Sequence, residues 1–132
     1  MSWRQLDEEY VIRNEWLSVR KDHVVLPTGI EIEDFYVIER PKHVHVIAIT
    51  TDGKFVFERQ YRYAIDRACL EICAGKIEPD ENPLEVAKRE LLEETGYSGG
   101  EWILMNELAV DSSNMTEISY SFLANYVERV SD

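Results

Sequence analysis

The chain has 132 residues with 45% hydrophobic and 30% charged side chains, enough for a folded core and too apolar for general disorder. Fourteen Lys and Arg stand against 26 Asp and Glu, for a formal charge of −12. That surface repels nucleic acid and anionic membrane, and a phosphorylated partner would need a local cation.

No apolar run approaches the ~20 residues of a membrane span. The opening Met1-Ser2-Trp3-Arg4-Gln5 lacks the apolar segment of a secretory signal, so a cytoplasmic location is expected. Neither a linker nor a repeat is evident, and a single domain over residues 1–132 is expected.

In chain order, Glu15–Arg20 and His23–Leu26 read as a hairpin stopped by Pro27-Thr28-Gly29. Glu31–Arg40 reads as a strand, and His43–Thr50 as a β-branched one. Thr51-Asp52-Gly53 makes a tight turn, with Lys54–Tyr61 as the hairpin partner of the preceding strand. Cys69–Cys73 reads as one short strand ending at Ala74-Gly75. Residues four apart in a strand lie roughly 13 Å apart, beyond the reach of a disulfide. Free thiols fit a reducing compartment. Two late strands are expected near Trp102–Val110 and Ile118–Val127.

Between them lies one clear helix. Asn82 is a cap, Pro83 suits the first helical position, Glu85 follows at the third, and Gly96 is a C-terminal stop. Leu84, Ala87 and Leu91 give an inward stripe. Strands around a single helix predict an α+β fold with a mixed sheet.

Glu90, Glu93 and Glu94 fall within an arc of about 100° on that helix. Like charges at such spacing repel, and Glu94 sits where the helix dipole disfavours an anion. A solvated acidic face and a site for a hard divalent cation both fit this pattern.

The wider spacing discriminates. Gly75, five residues, Glu81, seven residues, then Arg89-Glu90-Leu91-Leu92-Glu93-Glu94-Thr95-Gly96-Tyr97 resembles the Nudix box, G-x5-E-x7-R-E-U-x-E-E-x-G-U. All seven fixed letters are present, at odds on the order of 10⁻⁸ per starting position. The resemblance implies a Nudix fold: a mixed sheet packed with a catalytic loop-helix-loop, and N-terminal antiparallel strands. It also implies Mg²⁺-dependent (or Mn²⁺-dependent) hydrolysis of a nucleoside diphosphate linked to another moiety. On that resemblance Glu90, Glu94 and the Ala74 carbonyl are metal ligands, with Glu93 a further ligand or a holder of water. Arg89 orients a neighbouring carboxylate, and Glu81 orients rather than ligates.

Outside the box, Trp16–Gly29, Arg59-Gln60-Tyr61-Arg62, Leu70–Gly75 and Phe122-Leu123-Ala124 resemble the ADP-ribose pyrophosphatase and nucleotide-sugar hydrolase branch. This implies Arg62 and Arg40 as substrate-binding residues and Glu117, on the loop 111–117, as general base or water-positioning group. Ser112-Ser113 stand where ADP-ribose-cleaving relatives carry Pro-Gly. Relatives also continue beyond Phe122-Leu123-Ala124 with a further strand and helix that this sequence lacks. They are commonly homodimers built through the N-terminal strands, here residues 1–40. A MutT-type triphosphate hydrolase and a non-catalytic nucleotide-sensing domain are the alternatives. His43, His45, Cys69 and Cys73 are expected to be packing residues.

Overall fold

The computed structural model describes residues 2–132; Met1, the first residue of the opening read for a signal, lies outside them. The chain divides into two compact units, residues 1–41 with 109–117, and residues 42–108 with 118–132.

The first unit is a three-stranded antiparallel meander of β1 (Arg4–Arg13), β2 (Ser18–Val25) and β3 (Glu31–Glu39). The hairpin expected within 15–26 is instead the single strand β2, which pairs on one side with β1 and on the other with β3. Its polar middle is satisfied rather than turned outward. Arg20 donates from Nε to Asp22 Oδ1 at 2.6 Å and from Nη1 to Glu39 Oε1 at 2.7 Å. Asp22 is buried. The pair and its carboxylate neighbours let a charged stretch run through a sheet. The turn at Pro27-Thr28-Gly29 is present, closed by Gly29 N–H donating to the Leu26 carbonyl.

Residues 109–117 belong to this unit through β3. Ile38 N–H donates to the Asn114 carbonyl at 2.8 Å, and Thr116 N–H donates to the Ile38 carbonyl at 3.0 Å. Ser113 caps the loop's other end by donating from N and Oγ to Asp111 Oδ1.

The second unit is built on β4 (His43–Thr50), β5 (Glu58–Arg62), β6 (Arg67–Glu71), β7 (Cys73–Lys76), helix α1 (Pro83–Thr95), β8 (Tyr97–Ser98), β9 (Glu101–Ala109, whose last residue falls in the first unit) and β10 (Ile118–Arg129). Its five-stranded sheet runs β7-β4-β10-β8, with β9 also paired to β10. The β4–β10 pair is parallel and β4–β7 antiparallel, so the sheet is mixed as expected. A parallel pair is stable when covered on its faces, and the core lies on it. Val44, Val46, Ala48, Phe122, Ala124 and Val127 are buried here, with Val86, Ala87 and Leu91 of the helix against them.

Two strand expectations are corrected. The hairpin partner of β4 is shorter than Lys54–Tyr61: Thr50 N–H donates to the Lys54 carbonyl and Val56 N–H to the Ala48 carbonyl, both at 2.9 Å, around the bridge of Phe55 to Ile49, whereas β5 pairs with β6 instead. Val56 is buried in the core and anchors the start of the run, while Phe55 and Phe57 are exposed. The run Cys69–Cys73 is split between β6 and β7, so the two cysteines lie on different strands; both are free thiols.

Candidate active site

The helix forms where its caps dictate. Asn82 accepts hydrogen bonds from Leu84 N–H at 3.0 Å and Glu85 N–H at 3.3 Å, and Pro83 needs no donor partner there. At the other end Gly96 takes φ +74°, and its N–H closes on the Leu92 carbonyl. A side chain there would meet the Ser131 carbonyl oxygen at 2.3 Å. Burial of Val86, Ala87 and Leu91 fixes the rotation of the helix, leaving Glu90 half-buried and Glu93 and Glu94 exposed.

Arg89 joins two of the box carboxylates. Its Nη1 donates to Glu81 Oε1 at 2.6 Å and its Nη2 to Glu90 Oε1 at 3.3 Å. Glu81 also accepts from Glu78 N–H at 2.9 Å. The guanidinium and the backbone donor hold Glu81 below the usual carboxylate range, as fits a carboxylate occupied in orienting Arg89.

Glu90 lies against the backbone of β7. A Cβ placed on Gly75 would fall 2.3 Å from Glu90 Cγ and 2.6 Å from Cδ. Glycine is the residue that lets this carboxylate approach the strand bearing Ala74.

Glu94 meets a group outside the box. Its carboxylate lies close to that of Glu58, on β5, and to the buried Cys73 thiol. Burial, then the charge of Glu94, raises the Glu58 pKa; burial pushes the Cys73 thiol far up and keeps it protonated. Glu58 and Glu94 line a cavity of about 540 Å³ together with Arg59, Gln60, Tyr97 and Arg129. The sequence reading did not select Glu58, Arg59 or Arg129. Arg59 and Glu58 sit in the quoted Arg59–Arg62 stretch and beside it, but their approach to Glu94 depends on where β5 runs.

Among the described residues no three His, Cys, Asp or Glu side chains converge as a ready-made metal-ligand set. The donor chemistry nonetheless fits a hard divalent cation. The groups gathered at the helix are carboxylates, and two of them face each other where their mutual repulsion is unrelieved by a cationic side chain of the helix.

Arg62 lies on the same strand as Glu58 and is paired with Glu71 of β6. Arg62 Nε donates to both oxygens of Glu71, at 2.9 and 3.0 Å, and Nη2 also bonds to Glu71. The pair holds Glu71 below the usual carboxylate range. In the first unit, Arg40 Nε lies 3.2 Å from Glu117 Oε2. His45 Nδ1 and Ser119 Oγ share a hydrogen bond of 2.6 Å between β4 and β10.

Comparison with known proteins bears on the class. Residues 39–131 match the family model described as NUDIX domain, and residues 3–38 match the one described as nucleoside diphosphate sugar hydrolase N-terminal domain. A solved structure titled as an ADP compounds hydrolase superposes with a TM-score of 0.86 at 22% identity, covering all of this chain and 71% of its own, a likeness of fold. The mixed sheet, the single α-helix among the described residues and the complete box agree with that match, and the chain belongs to the Nudix family.

Among individual relatives, it is 31% identical over 121 residues to an ADP-ribose pyrophosphatase of Bacillus subtilis (strain 168). It is 32% identical over 121 residues to a methanol dehydrogenase activator of Bacillus methanolicus. Each alignment covers 92% of this chain, which spans 65% of the length of each relative.

Proposed function

We propose that the chain hydrolyses the diphosphate linkage of a nucleoside diphosphate derivative, with ADP-ribose or another nucleotide sugar as substrate and Mg²⁺ as the cation. The observation that carries this reading is the placement of Glu94 against Glu58, with Glu90 on the same helix held at β7 by Gly75. Carboxylates brought this close repel, and a divalent cation held beside them relieves the repulsion, as does a proton on one of them. Glu90, Glu94 and the Ala74 carbonyl would hold it, with Glu93 as a further ligand or a holder of water. The chemistry such a cation supplies is neutralisation of the diphosphate and acidification of water.

The side chains do the rest. Arg62, oriented by Glu71, clamps a phosphate oxygen. Arg89 keeps Glu90 aligned while itself held by Glu81. Glu117 accepts a proton from the attacking water, whose oxygen bonds to one phosphorus as the bridging P–O bond to the other breaks. The products are a nucleoside monophosphate and the phosphate of the attached moiety. The N-terminal match and the 31% identity to an ADP-ribose pyrophosphatase support a nucleotide sugar over a triphosphate.

The reading places the protein in the cytoplasm as a homodimer. Exposed Trp3, Leu6 and Val11 in and beside β1, and Ile103, Leu104 and Met105 on β9, supply apolar surface for a second copy. No helix among the described residues is long and apolar enough to cross a membrane.

A panel of nucleotide sugars, dinucleotides and triphosphates tests the reading, with Mg²⁺, with Mn²⁺ and with EDTA. Expected is release of nucleoside monophosphate from ADP-ribose or a related sugar nucleotide, abolished by EDTA and restored by the cation. Activity undiminished in EDTA refutes the mechanism. Pyrophosphate release from triphosphates alone refutes the substrate class.

A further inference from the structure

The sequence groups Arg40 with Arg62 as an arginine for the substrate, but the structure gives the two different surroundings. Arg40 follows β3 directly, at the edge where residues 114–116 are stitched. Its backbone N–H donates to Thr116 Oγ1 at 3.0 Å, and Thr116 Oγ1 donates in turn to the Arg40 carbonyl at 3.3 Å. The next residue, Glu117, is fixed by its own carbonyl, which accepts from Val110 N–H at 3.2 Å. Its carboxylate lies 3.2 Å from Arg40 Nε. The Glu117 side chain is 11% exposed and that of Arg40 47% exposed. The loop is therefore tied to β3 by backbone bonds on both sides of Met115, and the Thr116 hydroxyl sets where the Arg40 backbone stands. The ion pair then fixes the direction of the Glu117 carboxylate.

We infer that Arg40 is a positioning residue that acts through Glu117, holding its carboxylate in one orientation, rather than a clamp on substrate phosphate. The inference rests on the reading of Glu117 as general base. A nearly buried carboxylate with several rotamers is a poor acceptor until one is selected. An ion pair with Arg40 Nε selects it. Thr116 makes this selection local: the same loop that carries the base grips the backbone of the residue that aims it.

The two roles separate kinetically. A positioning residue is felt in kcat and loses its effect once the group it positions is gone, whereas a phosphate clamp is felt in KM whether or not the base is present. The experiment is a double-mutant cycle of Arg40→Ala and Glu117→Gln, with Arg40→Lys as conservative variant, measured at saturating Mg²⁺ over a full range of ADP-ribose. Circular dichroism melts confirm that each protein is folded.

Expected is a fall in kcat of about tenfold for Arg40→Ala, within the coupling range of neighbouring residues, with KM changed by less than about threefold. Arg40→Lys recovers part of kcat. In the Glu117→Gln background the Arg40 substitutions change kcat by less than about twofold. A rise in KM at constant kcat, in both backgrounds, overturns the inference and restores Arg40 as a substrate clamp. Equal kcat losses in both backgrounds also overturn it. If Arg40→Ala does not fold, Arg40→Lys in the same cycle decides by the same criteria. A Glu117→Gln enzyme within a few-fold of wild type refutes the base itself. A Glu117→Gln loss of about 10²-fold or more, with Arg40 effects that simply add, leaves the base intact and refutes only the positioning.

Discussion

Replacing Gly75 by alanine tests whether Glu90 belongs to the chemistry or merely to the surface. The added methyl would stand 2.3 Å from Glu90 Cγ and 2.6 Å from Cδ, where ordinary carbon contacts need about 3.5–4.0 Å. Relief requires the glutamate to move by more than about 1 Å. Gly75 lies in β7 and is not among the residues of positive φ, so the alanine imposes no backbone strain of its own. The obstacle is a side chain that can swing aside, so stability should fall by about 1–3 kcal/mol at most, the usual cost of overpacking.

Activity should fall much further, because misplacement of a reacting group by about 1 Å costs on the order of 10²-fold. The assay pairs kcat for ADP-ribose hydrolysis with Mn²⁺ affinity by electron paramagnetic resonance and with a melting curve. Expected are kcat reduced by about 10²-fold, weaker Mn²⁺ binding and a Tm lowered by only a few degrees, on a scale of about 2–8 °C per kcal/mol. A variant with wild-type kcat and wild-type Mn²⁺ affinity would refute the assignment of Glu90 as a ligand. A loss of activity that only tracks the unfolded fraction would reduce Gly75 to a packing residue.

Glu94→Gln is expected to lower kcat by at least ~100-fold, while the Tm in EDTA stays level or rises because the repulsion facing Glu58 is relieved. A variant at wild-type rate makes Glu94 structural. Glu71→Gln probes the pair that orients Arg62. Arg62 holds Glu71 below its ordinary pKa, so the stabilisation is present above the ordinary glutamate value and is lost as pH falls through the lower folded one. Melts should show Glu71→Gln less stable than wild type near pH 7, with the gap closing below about pH 4; a gap that widens on acidification contradicts the pairing.

The helix was legible because its information is local. Asn82, Pro83 and Gly96 mark its ends, and the box fixes the residues between. The strands β4, β9 and β10 were legible from β-branched and apolar runs. What escaped was decided by partners distant in the chain. β1 carries ten mostly exposed residues with four charged side chains among its first six, and is a strand only because β2 lies beside it. Lys21-Asp22 resembled a turn because what makes β2 continuous, its pairing with β1 on one side and β3 on the other, lies outside the local pattern. Glu58 escaped for the same reason: its meeting with Glu94 follows from β5 pairing with β6, and the expected pairing with β4 would not have made it visible.

The parallel ladder between β4 and β10 imposes an order on synthesis. Ser119 faces His43 and Val127 faces Thr50, so the closure of this ladder waits for the entire intervening chain. The meander β1-β2-β3 joins neighbours and can form as soon as it clears the ribosome, whereas pairings of long sequence separation form late and slowly. A nascent chain ending before Ile118 would carry every letter of the box, yet Val86, Ala87 and Leu91 would have no Phe122, Ala124 or Val127 to pack against. During that interval the helix has its caps, β4 and β7 but not β10, and part of its apolar face is open to chaperones, so substitutions that slow elongation or weaken β10 should reduce the yield of folded protein more than they change its final stability.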